Sequence, residues 1–296
     1  MMSKIAVFGL GSMGFGVAAS LIRAGHKIWG FDLSEEAVQR LCDEGGHQAD
    51  FGDIAGELDA VIIVVLNAKQ ARALLTSTPA IAAHLKPEAV VVNCTTISPE
   101  DAKDMAAICA QKQIAYLDAP ISGGAAKAMS GQLSIMASGN EIAFARAAAA
   151  LSAIAETVFT IGDEAGLGSA MKAVNQMLAG VHIAATAEAM TFALSQGINA
   201  EQCVEVISQS AGASWMFKNR APHIVEADYT PKSAVNIWPK DLGIVMDIAS
   251  QNKCTIPLTQ AALTQFNDAV MHGYGAEDDA AVAKIYAQKN KVTLPA

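Results

Sequence analysis

Three glycines and an aspartate near the N-terminus have types and spacing that suit binding of a dinucleotide. Gly9-Leu10-Gly11-Ser12-Met13-Gly14 is a G-x-G-x-x-G run between an apolar stretch, Lys4 to Phe8, and a stretch of helical composition, Phe15 to Ala24. Gly9 permits a tight turn, Gly11 lets a pyrophosphate approach the backbone, and Gly14 lets the helix pack close to the strand. The helix start then offers free N–H groups and a partial positive charge to the phosphates. Asp32 lies 18 residues after Gly14, at the end of a second apolar run, where a carboxylate would accept hydrogen bonds from ribose hydroxyls and repel a 2′-phosphate. Leu33-Ser34-Glu35-Glu36 adds only negative charge, so the expected cofactor is NAD rather than NADP. Far along the chain, Lys172 stands in a mostly apolar helical stretch, where burying an unpaired charge is expensive. Asn175 and Gln176 follow it at i+3 and i+4 and so share its helix face.

These residues need a scaffold, and the pattern around them describes one. Lys4 to Phe8, Lys27 to Asp32, Val61 to Leu66, Ala89 to Asn93 and Ile114 to Leu117 read as strands, and the central ones are continuous apolar runs. Such runs imply a sheet covered on both faces. Helical segments lie between them, opened by cap residues Ser34 and Ser98. Strands alternating with helices make a doubly wound α/β domain, a Rossmann sheet. After Ile161 the texture changes: glycines cluster at 162, 166 and 168, and a long Ala- and Met-rich helix runs from about Ser169 to Gln196, interrupted only by Gly180. Helices with polar loops follow. The expected organisation is a dinucleotide-binding domain over residues 1–164 and an all-α domain over residues 165–296, joined by the long interdomain helix.

Ligands in such sheets bind at the carboxyl ends of strands, which places Leu66, Asn67 and Thr96 beside a bound cofactor. The 296 residues carry a formal net charge of −9 and no Lys/Arg run, so no nucleic-acid partner is expected. The five cysteines form no C-x-x-C pair and suit a reducing cytoplasm as buried small hydrophobes. The glycines interrupt the N-terminal apolar run that would otherwise resemble a signal peptide. No continuous apolar run approaches the roughly 20 residues that span a bilayer, so no membrane partner is expected. The six histidines show no metal-ligand spacing, and no metal is expected. The acidic run Glu277-Asp278-Asp279 reads as a solvated helix start.

Four motifs spread over essentially the whole chain resemble those of the β-hydroxyacid dehydrogenase family. They are the opening FGLGSMGFGVA run from Phe8, the segment Asp118-Ala119-Pro120-Ile121-Ser122-Gly123-Gly124, the segment Gly166-x-Gly168-x-x-x-Lys172, and Lys240-Asp241-Leu242. The resemblance implies substrate binding by Ser122, Gly123 and Gly124, catalysis by Lys172, and a place beside the cofactor for Lys240. Many members carry an asparagine four residues after the lysine; this chain has Gln176 there, preceded by Asn175, and either amide is available to the substrate.

The implied reaction is NAD-dependent oxidation of a short hydroxy acid, L-threonate first, with 3-hydroxyisobutyrate and glycerate or tartronate semialdehyde as alternatives. The protein must then supply a proton acceptor and fix the geometry. Burial between domains and a nearby cation, Lys240, would favour the neutral amine at Lys172. Ser122 to Gly124 offer a hydroxyl and backbone N–H groups to a substrate carboxylate. Two rival readings are a dinucleotide-binding regulator without turnover and a Rossmann protein for flavin or S-adenosylmethionine. The Ala-rich helices of the second domain imply a homodimer or homotetramer.

Overall fold

The computed structural model describes residues 2–77 and 79–296. The chain divides into two compact units, Met1–Lys172 and Ala173–Ala296. The first opens with β1 (Lys4–Phe8), α1 (Ser12–Arg23), β2 (Lys27–Phe31), α2 (Glu35–Asp43) and the single turn α3 (Phe51–Ile54). It continues with β3 (Ala60–Ile63), α4 (Ala68–Thr76), α5 (Ile81–His84), β4 (Val90–Asn93), α6 (Pro99–Gln111) and β5 (Ala115–Asp118). These five strands are parallel, in the order β2-β1-β3-β4-β5, with Val7 registered between Gly30 and Ile62. Side chains alternate between two buried layers. Ile5, Val7, Ile62, Val90 and Val92 face one; Ala6, Phe8, Val61, Ile63 and Val91 face the other. Continuous apolar strands are what two covered faces require, and the doubly wound sheet expected from sequence is present. Ser34 and Ser98 cap α2 and α6 as expected, accepting from Ala37 N–H and Asp101 N–H.

Beyond β5 the sheet continues in a way the sequence leaves unassigned. β6 (Ile121–Ser122), α7 (Gly124–Ser130), β7 (Leu133–Ser138), α8 (Glu141–Ile154) and β8 (Ala155–Gly162) add a mixed edge, β7 running antiparallel to β5 and β6 and parallel to β8. β8 is largely exposed, so it carries no apolar signature to read.

The long helix α9 (Leu167–Ser195) begins in the first unit and continues through the second. The second unit adds α10 (Ala200–Ser208), α11 (Trp215–Val225), α12 (Ile237–Gln251), α13 (Pro257–Met271) and α14 (Val282–Asn290), with no strand among the described residues. Its core gathers Met190, Phe217, Leu242, Val282 and a stacked Trp238–Phe266 pair, ring centroids 5.5 Å apart. Gly180 does not interrupt α9. A Cβ there would fall 2.9 Å from Leu242 Cδ2 and 3.0 Å from Trp238 Cε3, so the glycine lets α12 approach closely.

Two further expectations are corrected. Asp278 and Asp279 do stand at a helix start, since Asp278 accepts from Ala280 N–H, but neither is solvated; both are fully buried. Arg220 donates to both oxygens of Asp279, at 2.5 and 3.3 Å, and Trp238 Nε1 donates at 2.9 Å. Asp278 lies 2.9 Å from His223 Nδ1 and accepts from Lys232 N–H. Charge in a sequence window cannot reveal partners some 59 residues away. Second, α9 is long and apolar enough to cross a membrane by length and composition. A search for unbroken apolar runs misses it because Lys172, Glu188 and amides punctuate it; 44% of its most apolar window is buried within the protein.

Candidate active site

In the first unit the strand order reverses between β1 and β3, because β1 feeds β2 on one side and pairs with β3 on the other. Open α/β sheets bind ligands outside the carboxyl ends of strands at such a reversal. The Gly9–Gly14 turn leaves β1 at that point. Gly9 has φ +90°, and a Cβ on it would stand 2.2 Å from Val64 O. A Cβ on Gly14 would stand 1.8 Å from Gly9 O, so that position admits only glycine. At Gly11 nothing lies within 4 Å of a built Cβ: the turn is open there. No side chain caps the N-terminus of α1. Leu10 turns its side chain into the core, while Ser12 and the partly exposed Met13 follow at the helix start. An open turn beneath an uncapped helix start suits a pyrophosphate, so these residues fit a dinucleotide.

Asp32 follows β2 and is exposed. Its carboxylate accepts from Leu10 N–H at 2.6 Å and Ser34 N–H at 2.9 Å, which ties the glycine turn to the end of β2. A carboxylate accepts about four hydrogen bonds, so capacity for ribose hydroxyls remains. Past β3, Leu66 is exposed and its N–H meets Gln70 Oε1, while Asn67 caps α4 by accepting from Gln70 N–H. Thr96, past β4, is partly buried. Its neighbour Thr95, which the sequence did not single out, is buried and links strand ends: its hydroxyl accepts from Val65 N–H at 3.4 Å, and its N–H donates to Asn93 Oδ1.

Past β5 the chain turns through Ser122, Gly123 and Gly124. Both glycines adopt positive φ, +136° and +78°, a conformation that L side chains rarely enter, and no side chain caps the start of α7 at Gly123. Lys172 is 7% exposed, and its Nζ donates to Ile121 O at 2.8 Å, immediately before Ser122. The structure thus brings Lys172 to the Ser122–Gly124 segment. Asp118, quoted within that motif but given no role, is fully buried and accepts from Gly166 N–H, Ser169 N–H and Ser169 Oγ. Burial pushes its carboxyl above the usual range, and those hydrogen bonds hold the rise back.

In the second unit Asn175 Nδ2 donates to Gln176 Oε1 at 2.9 Å, and Gln176 Nε2 donates to Asp241 Oδ2. Lys240 Nζ lies 2.7 Å from Asp241 Oδ1. Asp241 therefore gathers Gln176 and Lys240, joining residues about 65 positions apart. The sequence placed Asp241 in a motif without giving it this task. Among the described residues no group of three His, Cys, Asp or Glu side chains could hold a metal ion.

The family model described as the NAD binding domain of 6-phosphogluconate dehydrogenase matches residues 4–162. A second, described as NAD-binding of NADP-dependent 3-hydroxyisobutyrate dehydrogenase, matches residues 166–286. An L-threonate dehydrogenase of Pectobacterium atrosepticum is 47% identical over 98% of this chain and 95% of its own length. A 3-hydroxyisobutyrate dehydrogenase of Pseudomonas aeruginosa is 33% identical over 98% of this chain and all of its own. A solved structure described as 3-hydroxyisobutyrate dehydrogenase from Salmonella typhimurium superposes with TM-score 0.89 and 45% identity, covering 96% of this chain and 99% of that one.

Proposed function

This chain belongs to the β-hydroxyacid dehydrogenase family, that of 3-hydroxyisobutyrate dehydrogenase, and from that membership we propose that it oxidises L-threonate to 2-dehydro-L-erythronate with NAD, using Lys172 as the general base. It is a dehydrogenase acting on the hydroxyl group of a small molecule. The observation that carries the proposal is the buried Lys172 Nζ beside the Ser122–Gly124 backbone. Oxidation of a secondary alcohol takes a hydride from carbon and a proton from oxygen. NAD, when bound, accepts the hydride. Gly9 to Gly14 and Asp32 hold its pyrophosphate and ribose, with Leu66, Asn67, Thr96 and Lys240 as further contacts. Lys172 Nζ takes the hydroxyl proton and returns it in the reverse direction. Ser122, Gly123 and Gly124 seat the substrate carboxylate, and Asn175 or Gln176 orients a hydroxyl.

Asp32 supports NAD over NADP, since a carboxylate repels a 2′-phosphate. Identity of 47% to an L-threonate dehydrogenase, against 33% to a 3-hydroxyisobutyrate dehydrogenase, supports the substrate. The stretches Leu178–Ala185, Ser214–Arg220 and Gly273–Asp279 resemble L-threonate dehydrogenases in the same way. The Salmonella structure's description favours 3-hydroxyisobutyrate as the second substrate to try. NADH formation from L-threonate, 3-hydroxyisobutyrate and D-glycerate, with NADP as control, ranks them. Lys172→Ala is expected to abolish turnover and keep NAD affinity; unchanged turnover removes Lys172 from the reaction, whereas a wild type that binds NAD and turns over no hydroxy acid leaves the reading of a dinucleotide-binding regulator.

The two family models meet between residues 162 and 166, which supports a dinucleotide domain over residues 1–164 and a substrate and oligomerisation domain over residues 165–296. Five free cysteines support a reducing cytoplasm. Self-association as a homodimer or homotetramer, without nucleic-acid or membrane partners, completes the reading. Its support is one exposed face of α9, where Leu178, Ala185, Ala189 and Phe192 recur at helical spacing. A solution-scattering mass of one chain would count against it.

A further inference from the structure

With Lys172 read as the proton acceptor, on which reading this rests, the geometry points to Asp118 as the positioning residue that fixes where the amine stands. β5 ends on Asp118, and three residues later Ile121 presents the carbonyl that Lys172 Nζ meets at 2.8 Å. One short segment therefore holds α9 twice. The Asp118 carboxylate takes Ser169 through its N–H at 2.8 Å and its hydroxyl at 2.7 Å, and takes Gly166 N–H at 3.0 Å. Ser169 and Lys172 are three residues apart, so both anchor points lie on one helix face, a turn from each other.

The seat is tight. Ser138 on β7 accepts from Gly168 N–H at 2.9 Å and donates to Asp118 at 3.4 Å. A Cβ on Gly168 would stand 2.3 Å from Met136 O and 2.8 Å from Asp118 O, so the helix start is pressed against the backbone of β5 and β7. Four donors converge on Asp118: two N–H groups and two hydroxyls. Only an acceptor with about four lone-pair sites answers all of them, and an amide would turn its own donors toward them. A helix start facing solvent is capped adequately by serine or threonine. A fully buried carboxylate is costly unless bonded in this way, and the helix macrodipole adds to its stabilisation. The spacing between β5, the Ser122–Gly124 seat and the Lys172 amine follows from that one anchor.

The test uses Asp118→Asn, with Ser169→Ala as the milder variant should the first fail to fold. Misplacing an amine by about 1 Å costs up to about a hundredfold in rate, so kcat is expected to fall at least about tenfold in both while NAD affinity stays unchanged. The deuterium isotope effect at the substrate carbon that loses hydride is expected to rise, because the chemical step becomes limiting. A fall in kcat no larger than the loss of NAD-binding sites would mean only less folded enzyme, and it overturns the positioning role, as does wild-type kcat. Hydrogen exchange at the Gly166 and Ser169 amides reads the anchor without turnover. Faster exchange at both, with the rest of the sheet protected, supports it; unchanged exchange overturns it. If the wild-type enzyme oxidises no short hydroxy acid while exchange still changes as expected, the functional reading fails and the anchor stands.

Discussion

At the scale of single residues, the site divides into groups whose chemistry is visible locally and groups whose chemistry comes from burial. Asp32 is of the first kind. Its oxygens hold Leu10 N–H and Ser34 N–H and would face a ribose, so Asp32→Ser is expected to lower the NAD-over-NADP ratio of kcat/KM at least about tenfold, in line with hydrogen bonds to charged groups worth about 1.5–3 kcal/mol. An unchanged ratio removes Asp32 from cofactor choice. Lys172 was legible as a charge out of place in an apolar helix and through its motif. Asp118 and Asp241 were not, although both sit in quoted motifs, because neither Leu117-Asp118-Ala119 nor Lys240-Asp241-Leu242 holds the groups that the carboxylate binds apart from Lys240. Their meaning lies in Ser169 and Gln176, 51 and 65 positions away. Asn67 is a mixed case, since its side-chain oxygen caps α4 and is only partly at liberty to meet a cofactor.

At the scale of elements, β1 to β5 were legible because a sheet covered on both faces demands unbroken apolar runs, and their ends fall within a few residues of the expected limits. β6 to β8 were not. β6 is two residues long, β7 is a short run broken by Ser134 and ended by Ser138, and β8 is an exposed edge. Pairing rather than composition makes them strands. α9 was legible in extent, but the meaning of Gly180 required α12. A valine there would drive methyl groups into Leu242 and Trp238, so Gly180→Val is expected to cost about 1–3 kcal/mol, read as a lowered urea midpoint with an unchanged slope. Wild-type stability would show that α12 can yield without loss.

At the scale of the whole molecule, the two units are stabilised differently. The first rests on two apolar layers about a sheet; the second adds a buried ionic cluster about Asp278 and Asp279 to its apolar core. That cluster carries a consequence for acid. Burial alone would raise the Asp278 carboxyl, but the hydrogen bond with His223 and those from the Lys232 and Ala280 N–H groups leave it below the usual range. A carboxyl lowered in the native state stabilises the fold above its unfolded value, near pH 4, and forfeits that stability as pH falls through the native value. Asp279 acts in the opposite sense, since burial raises it despite Arg220, so acid relieves a cost there. Urea midpoints taken from pH 7 to pH 3 are expected to decline in the wild type. Asp278→Asn should start lower at pH 7 and decline less steeply, and parallel curves would count against this assignment. Acid below about pH 4 is therefore expected to loosen the helical unit through one neutralised carboxylate, well away from the glycine turn in sequence.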